Sequence, residues 1–203
     1  MLISITMSDF VDFGNKAGTL KITKVKQIYN RPKYHPSQDF YKKLRELLIL
    51  SLQEDSDLKS ILKFIEYEAH PKKKPHYLTI YKGFNKFIKR VKPKWITPIH
   101  GVFEYKDLNV KISPEIGLLI DGEKYLVKLH FKDSKITQSE AKCALRLMKK
   151  TLCKDEFKDF KVALLDLRKG KLYESKSSDP YIDELIEAEA QSLIRIWEGF
   201  EKS

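Results

Sequence analysis

The hydrophobic period of this chain changes twice, and that change limits the fold more than any other feature. From residue 37 to 92 apolar side chains recur at the spacing of a helix face. From 99 to 132 they alternate, as in strands with one buried side, and after 137 the helical spacing returns around one further strand-like run. Strands gathered mid-chain must pair with one another and be covered by the helices around them. The expected class is therefore α+β: a helical N-terminal region, then an antiparallel β-meander with a helix and a strand, then a C-terminal helix. The pattern divides at residues 1–98 and 99–203, read together as one compact unit.

The local signals fill in this outline. Ser8 is placed to cap a short helix through residue 16, stopped near Gly18. Residues 19–30 stay open between two readings: Ile22, Val25 and Ile28 have helical spacing, but alternation of Lys with apolar residues also suits a strand. A proline-punctuated connector covers 31–36. Ser37 then caps a helix with Phe40, Leu44, Leu47, Leu48 and Leu52 on one face, and a second helix after 55–57 uses Leu58, Ile61, Leu62 and Ile65. Pro75 suits the first turn of a third helix, which carries Tyr77, Ile80, Tyr81, Phe84, Phe87, Ile88 and Val91 and ends at Pro93. Gly83 lies inside it, at a usual cost of about 1 kcal/mol against Ala.

Strands are expected at 102–105, 108–112, 116–120 and 124–132, with a turn at Lys106–Asp107 and a tight hairpin at Asp121–Gly122. Thr137 and Glu140 form a capping-box pattern for a helix over 137–152. A strand over 161–167, a turn at Lys169–Gly170 and a helix from about 179 complete the chain.

At 203 residues the chain is long enough to bury a sizeable core without disulfides or metals. Its longest apolar run, Leu47 to Leu50, is far short of the ~20 residues a bilayer requires, so no transmembrane segment is expected. The first ten residues lack a basic leader and contain Asp9, so no secretory signal is expected. Cys143 and Cys153 fall on one predicted helix, ~15 Å apart along its axis, beyond disulfide reach. Two free thiols fit a cytoplasmic protein. No CxxC pattern, glycine-rich phosphate loop or G-x-S-x-G is present, and the five histidines have no ligand spacing. The segment Arg31, Pro32, Lys33, Tyr34 is dense in polar and aromatic groups but suggests no mechanism.

Charge carries the strongest functional signal. The chain has 39 Lys and Arg against 28 Asp and Glu, a net charge of +11. Residues 1–50 hold nine bases against four acids, 51–100 eleven against five, 101–150 ten against seven, and 151–203 nine against twelve. A basic front and an acidic tail make a polarised surface that attracts polyanions, nucleic acid (DNA or RNA) first among them. Between residues 72 and 94 stand Lys72, Lys73, Lys74, Lys82, Lys86, Lys89, Arg90, Lys92 and Lys94 with no acid. Lys82, Lys86 and Lys89 share the helix face opposite the aromatic residues, a stripe suited to tracking phosphates. No base-reading motif accompanies it, so binding of low sequence specificity is expected.

The strand over 124–132 is the second constellation. Tyr125, Val127, Leu129 and Phe131 share one face; Leu126, Lys128, His130 and Lys132 share the other. Glu115, on the preceding segment, is placed to face Lys128 or Lys132 across the ladder.

This order of elements, with Pro114–Glu115, the Asp121–Gly122 turn, Lys128 and Lys132, resembles the restriction-endonuclease-like fold of the PD-(D/E)XK nuclease superfamily over roughly residues 53–167. In that family a Pro-Asp or Pro-Glu carboxylate and a second acid, two residues before a lysine on the next strand, hold Mg²⁺, and the lysine positions the attacking water. The resemblance implies a metal-dependent phosphodiesterase with Glu115, Lys128, Lys132 and Glu140 as catalytic residues. Glu115 and Glu140 would hold Mg²⁺ or Mn²⁺. The sequence departs from the pattern at the second acid: Leu126 precedes Lys128 by two residues and His130 precedes Lys132. Glu140, or next Glu104, would have to supply it; Glu140 is equally placed to cap its own helix. Two readings follow, a nucleic-acid-associated protein with an active or degenerate nuclease-like fold, and a non-enzymatic module that binds an acidic protein or membrane surface.

Overall fold

In the computed structural model, residues 2–32, 35, 39–174 and 180–202 are described. The proposed cap Ser37, the helix start near 179, and Lys33 and Tyr34 lie outside them. The described elements are β1 (Ile3–Thr6), α1 (Met7–Gly14), α2 (Thr19–Tyr29), α3 (Lys42–Gln53), α4 (Lys59–Lys63) and α5 (Lys74–Val91). They continue with β2 (Lys94–Ile96), β3 (Gly101–Tyr105), β4 (Leu108–Ile112), β5 (Ile116–Ile120) and β6 (Glu123–His130), then α6 (Gln138–Leu152), β7 (Lys161–Asp166), β8 (Lys171–Glu174) and α7 (Ile182–Glu201). A π-helical turn (Phe64–Glu68) extends α4, and a 3₁₀ turn (Asp155–Phe157) follows α6. The α+β class is as expected, with helices at both ends of the chain.

The strands form two sheets, ordered β1-β4-β3 and β2-β5-β6-β7-β8. The single meander expected over 100–132 is thus two hairpins in different sheets. β3 pairs antiparallel with β4, and β5 with β6, but β4 and β5 are not neighbours. The chain leaves the first sheet at Ser113–Pro114, where proline has no N–H to continue a ladder. Beyond it, β5 has β2 as its second neighbour. At Gly117 a Cβ would lie 2.4 Å from the Ile96 carbonyl oxygen, so only glycine lets β2 approach this closely. The N-terminal 98 residues are also not purely helical: β1 pairs parallel with β4, and β2 antiparallel with β5. No structural seam therefore lies at residue 98.

Strand β1 also moves the first cap. Because Ile3–Thr6 are paired, the helix starts at Met7, and Thr6 rather than Ser8 accepts the Asp9 N–H at 3.1 Å. The helix ends at Gly14, short of the expected Gly18. The ambiguous segment 19–30 is helical, burying Val25 and Ile28 and leaving Ile22 exposed.

The five-stranded sheet has a core on each face. Alternate residues of β6 and β7 divide between them: Leu126, Val162 and Leu164 pack with α1, α2, α6, α7 and the smaller sheet. Tyr125, Val127, Leu129, Ala163 and Leu165 pack with α3, α4 and α5. The two faces read from the sequence for residues 124–132 are those observed. Helix α6 crosses between β6 and β7, which run parallel, and its capping box is formed.

Gly83 explains itself by contact. A Cβ there would lie 2.0 Å from the Leu167 carbonyl oxygen, and one at Gly170, where φ is +61°, would lie 2.2 Å from the Gly83 carbonyl oxygen. Helix α5 and the β7–β8 turn thus meet backbone to backbone, which the absent side chains allow.

Candidate nucleic-acid interface

The register Ile116↔Val127 brings Glu115 beside Lys128 at the end of the β5–β6 ladder. Glu115 Oε1 accepts from Lys128 Nζ at 2.5 Å, and Oε2 accepts from the Leu129 N–H at 2.7 Å. Lys128 Nζ also donates to the Ser113 carbonyl at 3.0 Å. The two side chains are only 16% and 20% exposed. Of the two partners expected for Glu115, Lys128 is the one it meets, and the Leu129 N–H engages its second carboxylate oxygen.

Lys132 lies just beyond β6 and has a different partner. Its Nζ sits 2.8 Å from each oxygen of Asp12 on α1. Asp12 also faces Lys24 at 3.5 Å, Lys24 reaches Asp9 at 3.2 Å, and Arg31 grips Asp9 with two hydrogen bonds of 2.9 and 2.7 Å. Burial alone would raise the Asp9 carboxyl; hydrogen bonds from Arg31 and Thr6 and the Lys24 charge more than reverse this, holding it far below the ordinary carboxylate range. A chain of ion pairs thus runs from Arg31 to the end of β6. It escaped the sequence reading because Asp12 and Lys132 are 120 positions apart and no local pattern joins them. Arg31 gains a role that its own segment did not suggest.

Glu140 does not join Glu115. Its Oε2 accepts the Thr137 N–H at 2.7 Å while Thr137 Oγ1 accepts the Glu140 N–H at 3.1 Å, so it closes its own helix cap. Glu104 is exposed on β3, an edge strand of the other sheet. Leu126, at the position of the family's second acid, is fully buried. Two cavities flank Lys128. A small one of about 80 Å³ is bordered by Ser8, Asp12, His130, Lys132 and Glu140. A larger groove of about 440 Å³ is lined by Gln53, Trp95, His100 and Glu115, among others. Lys128 borders both, so the two expected metal-holding carboxylates, Glu115 and Glu140, open onto different cavities. Among the described residues no group of three or more His, Cys, Asp or Glu could hold a metal ion. With both carboxylates committed elsewhere, the donor set does not fit Mg²⁺ or Mn²⁺, which require several hard oxygens in near-octahedral array.

The basic helix is the opposite case. Helix α5 carries no acid, and its Tyr77, Phe84 and Phe87 are buried, core residues as expected. Lys82, Lys86 and Lys89 are exposed on the outer side, and their ammonium groups meet no acidic or other partner among the described residues. They span ~10 Å of helix axis. Lys72 is exposed ahead of the helix. The other three predicted contacts are partly engaged. Lys73 lies 5.1 Å from the Phe40 ring centroid, Lys74 Nζ donates to the Glu66 carbonyl at 2.5 Å, and Arg90 Nη2 donates to the Gly170 carbonyl at 2.9 Å.

No protein-family model matches the chain, and no curated protein matches its sequence. Among the described residues no helix is long and apolar enough to cross a membrane.

Proposed function

We propose that this protein binds the phosphate backbone of nucleic acid through α5, on a nuclease-like core that does not cleave. The observation that carries this reading is the α5 stripe, three exposed lysines at helical spacing on a helix without a single acid. Unpaired ammonium groups displace the counterions condensed on a polyanion, and that release drives association. Lysines already paired with carboxylates gain much less from a phosphate.

The nuclease-like part of the reading rests on the order of elements. An antiparallel β5–β6 pair, α6 and then β7 parallel to β6 support the resemblance to PD-(D/E)XK enzymes. Binding is favoured over hydrolysis by the state of Glu115. The Lys128 ammonium, held by Glu115 Oε1 and the Ser113 carbonyl, stands where a cation would need those oxygens.

The test is a salt series on the full chain with a labelled duplex and a labelled single strand. Log affinity should fall linearly with log salt, and Lys82→Glu, Lys86→Glu and Lys89→Glu combined should weaken binding by more than 100-fold. Neither substrate should be cut with Mg²⁺ or Mn²⁺. Salt-insensitive binding, or a triple variant that binds as the wild type does, would overturn the reading. Preference for anionic lipid vesicles over nucleic acid would point to a membrane surface. Metal-dependent cutting lost in Glu115→Gln would restore the enzyme.

A further inference from the structure

The small cavity at the end of β6 lies on the α1–α6 side of the five-stranded sheet, across the sheet from α5. Binding through α5 therefore leaves it unexplained. Its inner wall is apolar, built from buried Val11 of α1, Ala144 of α6 and Leu164 of β7. At about 80 Å³ it is far smaller than the ~300–1,000 Å³ of sites for drug-sized ligands, so its apolar part suits a short aliphatic group.

The mouth carries both signs of charge. Lys132 borders it, at one end of the chain of ion pairs that begins at Arg31. Among the described residues, Arg31, Lys24 and Lys132 share only two carboxylates there, Asp9 and Asp12. One positive charge is left over. Lys132, whose Asp12 is shared with Lys24, is the cation of that chain that borders the cavity. An anion beside it would continue the alternation of signs. Ser8, exposed in the first turn of α1, adds a hydroxyl with no partner among the described residues. Glu140 supplies the opposite sign. Its Oε2 is engaged by the Thr137 N–H, while Oε1 has no partner among the described residues. Lys128 and His130 also border the mouth, but they are held by Glu115 and by the Ser134 carbonyl.

We propose that this cavity binds a free aliphatic α-amino acid of about the size of valine. The carboxylate meets Lys132 and Ser8, the ammonium meets Glu140, and the side chain lies against Val11, Ala144 and Leu164. A zwitterion answers both open charges at once. A simple carboxylate would leave an anion near Glu140, and a simple amine would leave a cation near Lys132. The proposal stands apart from the nucleic-acid reading and shares no residue with α5.

The experiment is calorimetric titration of the full chain with valine, glycine, isovalerate and isobutylamine. Valine should bind saturably. Glycine lacks the side chain, isovalerate the ammonium and isobutylamine the carboxylate. Each should bind at least tenfold more weakly, the usual worth of one buried aliphatic group or one charged hydrogen bond. Glu140→Gln keeps the capping pattern, because glutamine also serves at that position. It should weaken valine at least tenfold and leave isovalerate no weaker. Lys132→Met should weaken both. Ala144→Leu should fill the cavity and abolish valine binding. Lys132 and Glu140 lie outside the core, so their variants decide the question even if Ala144→Leu fails to fold.

No saturable binding of valine would overturn the site, as would valine binding that is unchanged in both Glu140→Gln and Lys132→Met. Isovalerate as tight as valine would overturn the amino acid in favour of a monocarboxylate, and glycine as tight as valine would overturn the role of the apolar wall. The combined Lys82→Glu, Lys86→Glu and Lys89→Glu variant should bind valine as the wild type does. Failure of either reading therefore leaves the other standing.

Discussion

Lys82, Lys86 and Lys89 stand on α5 with no carboxylate partner among the described residues, whereas Lys128 and Lys132, at the end of β6, each face one. The residue type is the same and the electrostatic state is opposite. An ammonium already held by a carboxylate has lost most of what a phosphate would offer it. An unpaired one on a solvated helix has lost nothing. Net charge therefore overstates how much of this molecule could meet a polyanion, and the useful quantity is the number of cations left uncompensated on one face.

The contrast is tested most severely by combining Lys82→Glu, Lys86→Glu and Lys89→Glu. Duplex affinity should fall by more than 100-fold at low salt, and the slope of log affinity against log salt should shrink by about 3 × 0.9. The melting temperature should move by no more than a degree or two, since exposed, unpaired lysines contribute little to stability.

The next largest effect is expected at Asp9. Asp9→Asn should cost about 2–3 kcal/mol at neutral pH, because it removes the charge that Arg31 and Lys24 face. The folded carboxyl is depressed relative to its unfolded value. Its contribution is thus complete above pH ~4 and is lost as the pH falls further. Urea midpoints at pH 7 and pH 3 should show wild type and variant converging in acid. A gap that stays constant would mean that Asp9 acts through packing and not through charge.

Lys128→Met addresses the paired group directly. Stability should fall by about 1–2 kcal/mol, or a few degrees in melting temperature, as Glu115 loses its partner. Duplex affinity should stay within twofold of wild type in a polarisation titration. A loss comparable to that of an α5 lysine would erase the distinction between the two groups. The smallest effect is expected from Asp12→Asn, which releases Lys132, itself 54% exposed. One additional free cation should tighten duplex binding by about two- to threefold and steepen the salt slope by about one.

Much of the architecture was legible because it is local. The capping box at Thr137, the helix over 74–91 and the face alternation of β6 depend on neighbours within a few positions. The pairing of Glu115 was legible as far as Lys128 or Lys132, because a tight hairpin narrows the register, and the structure decides for Lys128. What escaped depends on distant partners. Ile3–Thr6 alternates apolar and polar residues, but four residues are too few to decide a strand, and the segment becomes one by pairing with β4, more than 100 residues later. The split of the meander at Pro114 follows from the presence of β1 and β2, neither of which was assigned. Asp12 reached Lys132 by the same route, through the placement of α1 against α6. Glu140 shows the converse: its role as a cap, one of the two open in the sequence, needs only its own neighbours and is the one formed.

The meeting of Gly83 with Gly170 has a consequence for recognition itself. Seated backbone to backbone on a strand turn, the helix has little room to roll or slide, so the Cα positions of the three lysines form a ruler from which the flexible side chains reach out. In the proposed binding mode the phosphates would meet that spacing with little freedom of the helix lost. A methyl group at position 83, on the buried side of the helix and far from any charge change, would tilt the ruler and weaken binding with every lysine intact.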